Sequence, residues 1–142
     1  MMQIEEVIQA TPEVHAALAR LLPQLNPQLP IPTMERIQAI IADPAVILLL
    51  ARDGEEVVGT TTLIVYPTPF WIKGRLDEVV VDESARGKGV GAALVKACLE
   101  IAREKGVEVV ELQSGVQREA ANRLYPRMGF KLRETNVYRI VL

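Results

Sequence analysis

A glycine-rich turn carrying two cations is the segment of this sequence best suited to bind a ligand. Glycines stand at positions 87, 89 and 91, and Arg86 and Lys88 alternate with them. Glycine lets a backbone curl tightly and approach a ligand without a Cβ in the way. An amphipathic run follows, and the unpaired amides of a helix's first turn bind phosphate oxygens. The pattern therefore predicts an anion site, foremost for a pyrophosphate; a structural turn with a solvated cation pair is the alternative.

Three predicted elements hold this turn in place. Residues 76–81 end in three valines, which favour a buried strand. Residues 91–105 have apolar positions on one helical face, and Gly106 is suited to end that helix. Residues 107–112 form a second apolar strand. This strand, turn, helix and strand make a βαβ unit with parallel strands, and the turn lies at its first crossover.

The elements around this unit follow the order β α α β β β α β α β β. Thr11 and Thr33 are suited to cap two early helices, which a proline-rich loop separates. Asp53-Gly54 marks a hairpin. Later predicted elements are a helix to about Met128 and strands over 130–134 and 137–142. We expect one α/β (α+β) domain over residues 1–142, with a mixed sheet of about six to seven strands and about four helices.

Composition narrows the classes of protein that fit. The 142 residues include 16 basic and 18 acidic side chains, so the formal net charge of −2 gives no electrostatic footprint for nucleic acid. Apolar runs are too short to span a membrane, and the N-terminus lacks the pattern of a signal peptide. With Cys98 and His15 as its lone members of those residue types, the chain has no disulfide framework or zinc cluster. We expect a cytoplasmic protein without a metal.

Two segments, at a relative spacing like that of the family, resemble the GNAT superfamily of acetyl-coenzyme A dependent N-acetyltransferases. The turn Arg86-Gly-Lys-Gly-Val-Gly91 matches the family's Arg/Gln-x-x-Gly-x-Gly/Ala signature. The segment from Glu119 to Phe130 resembles Ala-x-x-x-Tyr-x-x-x-Gly-Phe through Ala121, Tyr125, Gly129 and Phe130. A helix and a strand separate the two segments, as in that fold. The resemblance thus implies the GNAT fold and acetyl-CoA as the acyl donor.

The resemblance also implies which residues bind the donor. Backbone groups of 79–81 would hold the pantetheine arm and the acetyl carbonyl, and amides of the turn would hold the pyrophosphate. Asn122 is a further candidate, although it could equally be a solvent-facing helix residue. The complete set of implied coenzyme-binding residues is Val79, Val80, Val81, Arg86, Gly87, Lys88, Gly89, Val90, Gly91, Ala92 and Asn122.

Two side chains are candidates for proton transfer in the implied reaction. By the resemblance, Tyr125 would act as general acid near the sulfur, with a core-packing tyrosine as the alternative. An amine of pKa ~10.4 needs roughly 4–5 kcal/mol to be neutralised at pH 7, so a base is required. Asp77 and Glu78 should point to opposite faces of their strand, and Glu78 is our candidate base. Alternatively, Glu78 only binds the amine or pairs with Arg75 or Arg123.

Some features depart from the family pattern or leave the acceptor open. Arg118 stands where the family often has Asn, and Pro126 should bend or end the helix that carries Tyr125.

Phe70, Trp71 and Met34 are candidates to line the acceptor pocket or to pack in the core. His15 and Cys98 are more readily structural than catalytic.

The acceptor class and the rival functions stay open. Strand 76–81 is similar to that of glucosamine-6-phosphate acetyltransferases, although its Asp-Glu order is swapped. The acceptor is otherwise a small-molecule or protein amine. A non-catalytic acyl-CoA sensor and a dinucleotide-binding fingerprint beginning at Gly87 are rival functions. A homodimer through the last strands or the sheet edge is a family-level expectation.

Overall fold

The protein is a single mixed sheet with helices on both faces. The computed structural model describes residues 2–142. The strands lie in the sheet in chain order: β1 (Met2–Glu6), β2 (Val46–Asp53), β3 (Glu56–Pro67), β4 (Ile72–Val81) and β5 (Val109–Leu112). Neighbouring strands are antiparallel except β4 and β5, which are parallel. The parallel pair confirms the predicted crossover.

Four α-helices accompany these strands, as expected. They are α1 (Pro12–Leu21), α2 (Met34–Ala42), α3 (Val90–Glu104) and α4 (Glu119–Arg127), with short 3-10 helices at Leu22–Gln24 and Glu83–Ala85. The Thr11 hydroxyl accepts the Val14 N–H at 3.2 Å, and the Thr33 hydroxyl accepts the Arg36 N–H at 3.1 Å. Both predicted N-caps are therefore present, because a threonine oxygen satisfies an amide that the helix leaves free.

The long apolar run in β2 is explained by burial on both faces of the sheet. One set of alternate residues, including Leu48 and Leu50, packs with α1 and α2. The other set, including Ile47 and Leu49, packs with α3 and Tyr125 of α4. Successive strand residues point to opposite faces, so a central strand between two helical layers must be apolar at every position.

The two C-terminal strands that the sequence predicts do not form. Residues 130–142 contain no strand, so the sheet has five strands rather than six or seven. Leu132, Tyr138 and Ile140 are at least four-fifths exposed. Alternating apolar residues permit a strand, but a strand also needs a hydrogen-bonding partner. Here β5 stays an edge strand and the segment lies unpaired beside it.

Residues 2–142 lack two features, a membrane-spanning helix and a cluster of metal ligands. No helix in that part of the chain has both the length and the apolar character needed to cross a bilayer. The same residues contain no group of three or more histidine, cysteine, aspartate or glutamate side chains arranged to hold a metal ion.

Candidate active site

The candidate site lies where strand β4 extends beyond the end of its partner β5. The ladder between them joins Lys73–Leu76 to Val109–Leu112 and stops there. The ladder between β4 and β3 continues to Val81, opposite Gly59. Residues 77–81 of β4 therefore keep a strand partner on one side only. Backbone groups on the other side are left for a ligand, next to the glycine turn that follows β4.

A β-bulge at Glu78 interrupts the regular alternation of β4. Thr60 lies opposite Val80 and Thr62 opposite Asp77, so a single β3 residue faces both residues between them. Glu78 has φ of +57°, a positive value shared by no other non-glycine residue in the described chain. This left-handed conformation costs an L-residue about 1–2 kcal/mol. The strain is localised at the residue predicted to be the base.

The bulge determines which layer receives the Glu78 carboxylate. Leu76 belongs to the core beneath α3, whereas Val80 packs with α1 and α2. Glu78 lines a cavity together with Leu18 and Leu48, on the α1 and α2 side. In a regular strand, residues two apart share a face. The bulge therefore redirects Glu78 from the α3 side to the opposite layer, and the predicted strict alternation does not hold here.

The surroundings of Glu78 favour its protonated form. Its side chain is accessible, yet desolvation by nearby protein raises the pKa of the carboxyl, and the negative charge of Asp77 adds to this effect. Asp77 itself pairs with Arg75, whose Nε lies 3.1 Å from Oδ2. Glu78 forms no ion pair with any residue in 2–142, so the predicted alternative of a pair with Arg75 or Arg123 is absent. A carboxylate with a raised pKa is a stronger base than an ordinary glutamate, which suits it to accept a proton.

The glycine turn has the open backbone that the sequence predicts. Gly87 and Gly89 have φ of +79° and +80°, and a Cβ built on either would meet no atom within 4 Å. Gly89 is the N-cap of α3 and supplies no side-chain cap, so the first amides of α3 are free to bind a ligand. Arg86 and Lys88 are exposed and form no ion pair with a described residue. These features fit an anion such as a diphosphate.

Gly91 differs from the other two glycines of the turn. It lies within the first turn of α3 and has no positive φ. A Cβ there would meet Leu124 Cδ2 at 3.3 Å and Val81 Cγ2 at 3.6 Å. Gly91 therefore serves the close packing of α4 against α3 and β4 rather than the curl of the turn.

A hydrogen-bonded cluster fixes the entrance to the turn. Gln24 Nε2 donates to Asp82 Oδ1 at 2.7 Å, and the Glu83 N–H donates to Gln24 Oε1 at 3.0 Å. The Ser84 hydroxyl donates to Asp82 Oδ2 at 2.6 Å. Hydrogen bonds from Ser84 and Gln24 lower the pKa of Asp82, so its carboxylate stays ionised. No local sequence pattern indicates this long-range role of Gln24.

Tyr125 combines a packed ring with an unpaired hydroxyl. The residue is 6% exposed, and its ring meets that of Phe130 edge-on at 5.8 Å. Its neighbour Leu124 lies beside Gly91 at the start of α3, and Tyr125 belongs to the same core cluster as Val90 and Leu94 of α3. Burial raises the pKa of the phenol, and Arg118 opposes that effect only in part. The phenol is therefore protonated at neutral pH and able to donate a proton.

The structure of α4 bears on one predicted departure, Pro126, and on one candidate coenzyme-binding residue, Asn122. Pro126 lies inside α4, which ends one residue later at Arg127. Asn122 is exposed, and its Nδ2 donates to the Gly115 carbonyl at 2.9 Å. This bond ties α4 to the loop that follows β5. The remaining backbone candidates, Val79 and Val80, are buried at the bulge.

A cavity of about 420 Å³ lies beside Glu78 on the α1 and α2 side. Thr33, Arg36, Thr60 and Thr62 are its other polar lining residues, and its remaining walls are aliphatic. The sequence did not predict these residues as a site. The sequence pattern around Arg36 is that of an ordinary helix-surface residue. The only unusual pattern is the run of threonines at 60–62 in a buried strand.

Several other candidates lie away from this cavity. Phe70 and Trp71 are exposed at 89% and 44%, so neither ring packs in the core. Neither they nor Met34 line this cavity, and their place in an acceptor pocket stays a prediction. His15 on α1 does not line it either. Cys98 is fully buried, and burial raises the pKa of its thiol to about 12, which makes it inert.

Comparisons with known proteins agree with this geometry. The acetyltransferase (GNAT) family model matches residues 12–130. The aminoalkylphosphonate N-acetyltransferase of Salmonella typhimurium is 36% identical over 96 residues, which are 66% of this chain and 62% of that protein. The glucosamine 6-phosphate N-acetyltransferase of Trypanosoma brucei brucei is 38% identical over 83 residues, 56% of this chain and 54% of that protein. The chain thus spans less than two thirds of either relative.

A solved structure extends the likeness over the whole fold. The aminoglycoside acetyltransferase from an uncultured soil metagenomic sample, in complex with trehalose, has a TM-score of 0.87 over 99% of this chain and 95% of that one. Its 21% identity limits this comparison to the fold. Together with the family match over most of the sequence, it leads to one conclusion: the chain belongs to the GNAT family of acetyltransferases.

Proposed function

We propose that the protein transfers the acetyl group of acetyl-CoA to a primary amine by direct attack in a ternary complex. The observation that carries this proposal is the bulge at Glu78, which turns a carboxylate into a cavity beside the free edge of β4. The open glycine turn at the end of the same strand supports binding of the coenzyme's diphosphate. Donor and acceptor would then meet at the end of β4.

Glu78 acts as the general base in this proposal. An acceptor amine arrives as an ammonium ion and must lose a proton before its nitrogen can attack. The raised pKa of Glu78 lies closer to the pKa of the acceptor ammonium than that of an ordinary glutamate does. Proton transfer from the ammonium to Glu78 therefore costs less free energy. The proton passes to the carboxylate directly or through one water.

Tyr125 acts as the general acid. The amine nitrogen bonds to the acetyl carbon, the carbon–sulfur bond breaks, and the departing thiolate takes the phenolic proton. Backbone N–H groups near Val80 would stabilise the oxyanion that forms on the carbonyl. The phenol of Tyr125 stays protonated at neutral pH, as a general acid requires, which supports this role.

A sugar amine is a second candidate acceptor, since one relative acts on glucosamine 6-phosphate. Purified protein is mixed with acetyl-CoA and a panel of alkylamines, amino acids, aminoalkyl acids, sugar amines and peptides, and free thiol is recorded with mass detection of the acetylated product. We expect amine-dependent thiol release. Coenzyme A binding without thiol release from any amine would instead identify a non-catalytic acyl-CoA sensor.

We also propose a homodimer in the cytoplasm. The outer edge of β5 is unpaired, and the apolar side chains of Val137, Tyr138, Ile140, Val141 and Leu142 are exposed, so a second copy has both a strand edge and an apolar segment to bind. A lone reduced cysteine fits a reducing compartment. Light scattering after gel filtration should give twice the chain mass, and a monomer at micromolar concentration would contradict the dimer.

A further inference from the structure

The cavity beside Glu78 carries one positive and one negative side chain. Glu78 comes from β4, and Arg36 comes from the first turn of α2. Among residues 2–142, neither forms an ion pair with the other or with a third residue. Both side chains are exposed to solvent and unpaired, so each is free to bind a ligand group of the opposite charge. The cavity therefore favours a zwitterion.

The wall formed by α2 is suited to an anion. The Thr33 hydroxyl accepts the Arg36 N–H at 3.1 Å, which leaves its own O–H free to donate into the cavity. The guanidinium of Arg36 offers several further donors in a planar fork that matches carboxylate and phosphonate oxygens. The positive end of the α2 dipole has the same sign. The Thr33 hydroxyl, the Arg36 guanidinium and the α2 dipole therefore all favour an anion at this wall.

The other walls of the cavity are mostly aliphatic. Leu18, Leu22, Ile31, Ile40 and Leu48 form most of them. The Thr60 hydroxyl already donates to the Leu49 carbonyl at 2.9 Å, which leaves few polar groups for a ligand. Sugar hydroxyls placed here would lose water without gaining partners. An alkyl spacer fits these walls better than a sugar ring.

The cavity volume is sufficient for a small acceptor. At about 30 Å³ for each water in the liquid, 420 Å³ holds on the order of 14 water-sized groups. A small amino acid or aminoalkyl acid fits within that space. A polycationic aminoglycoside would place further ammonium groups near the positive charge of Arg36.

We infer that the acceptor is a short aliphatic amine with an anionic group at its far end, whose ammonium lies at Glu78 and whose carboxylate or phosphonate is bound by Arg36 and Thr33. This inference rests on the proposed acetyltransferase function and adds Arg36 as the residue that determines acceptor specificity. Carboxylate and phosphonate share the required chemistry, so the test includes both.

Matched amines that differ only in the terminal anion test the inference. We compare 3-aminopropylphosphonate and 4-aminobutyrate with propylamine and butylamine as acceptors of the wild-type protein, with glucosamine 6-phosphate as a further arm. At least one anionic amine should have kcat/KM about 10-fold or more above its uncharged partner, as one charge-assisted hydrogen bond predicts. It should also exceed glucosamine 6-phosphate.

Variants then assign the preference to Arg36. Arg36→Met should raise KM for the anionic amine about 10-fold more than it raises KM for the matched alkylamine, and Arg36→Lys should restore part of the preference. Arg103→Met is the matched control, since Arg103 is exposed in the last turn of α3 and lines no part of the cavity. Unfolding temperatures confirm that each variant is folded.

The outcomes separate this inference from the function beneath it. Equal rates for anionic amines and alkylamines overturn the inference while the acetyltransferase proposal stands. A preference that survives in Arg36→Met overturns the role of Arg36. A preference for glucosamine 6-phosphate overturns the aliphatic spacer. Acetylation of no amine, in a protein that binds coenzyme A, overturns both the inference and the proposed function.

Discussion

Replacing Glu78 by glycine should make the protein more stable and less active. Glu78 has φ of +57°, in the left-handed region that glycine enters without steric cost. Relief of about 1–2 kcal/mol of strain is offset by about 0.5–1 kcal/mol of extra backbone freedom in the unfolded chain. The net gain is about 0.5–1 kcal/mol, or roughly 2–4 °C in Tm for a domain of this size.

Loss of the Glu78 carboxylate should also favour stability at neutral pH, whereas it should lower turnover. The pKa of Glu78 is raised in the folded state, so its ionised form is less favourable there than in the unfolded chain. Stability from this group is greatest at low pH and falls as the pH rises through the raised pKa. At neutral pH its removal should therefore not destabilise the fold. Loss of a general base should lower kcat by about 10²-fold or more.

Two further variants separate strain from charge. Glu78→Gln keeps a side chain in the left-handed conformation, so it should lose activity without the glycine's gain in Tm from relief of strain. Glu56→Gly is the matched control, because Glu56 is an exposed strand residue of β3 without positive φ. That substitution should cost about 0.5–1 kcal/mol. Calorimetric Tm and steady-state thiol release are measured for all three.

The reasoning about strain fails if Glu78→Gly lowers Tm as much as Glu56→Gly does. The reasoning about catalysis fails if Glu78→Gln keeps wild-type turnover at every pH. The two results are independent, so one half of the prediction can be refuted while the other stands.

Three other substitutions test separate parts of the account. Tyr125→Phe should lower turnover by ~10²-fold with little change in coenzyme A binding, and unchanged turnover would exclude the phenol as the acid. Asp77→Asn should move the acidic limb of the pH profile of kcat/KM to lower pH, because the Asp77 charge contributes to the raised pKa of Glu78; an unmoved limb would contradict this coupling. Gly59→Ala should cost about 1–3 kcal/mol by urea unfolding, because its Cβ would lie 2.9 Å from Val90 Cγ1 and 3.1 Å from the Val80 carbonyl; an unchanged unfolding midpoint would contradict that crowding.

Features encoded in a few neighbouring residues could be predicted from the sequence. The caps at Thr11 and Thr33 follow from one hydroxyl and an amide three residues later. The hairpin at Asp53-Gly54 needs only a glycine with positive φ, and Gly54 has φ of +64°. The glycine turn is equally local. Each of these features forms without information from distant parts of the chain.

Features that depend on distant partners could not be predicted. The bulge at Glu78 arises from the register between β3 and β4, and a glutamate gives no local sign of a left-handed conformation. The cavity joins α1, α2 and two strands, so no single segment shows it. The strands expected over 130–134 and 137–142 have the right alternation but no partner in this chain. Alternation reports which face could be buried, not whether a neighbour is present.

Calorimetric titration of coenzyme A tests most directly whether the glycine turn binds a diphosphate. Coenzyme A should bind the wild-type protein, and pantetheine, which lacks the diphosphate, should bind much more weakly. Gly89→Ala should weaken coenzyme A by about 10-fold or more, because the new Cβ strains a residue with φ of +80° and occupies the open approach to the free amides. Failure of coenzyme A to bind at millimolar concentration, or equal affinity for pantetheine, would contradict the account.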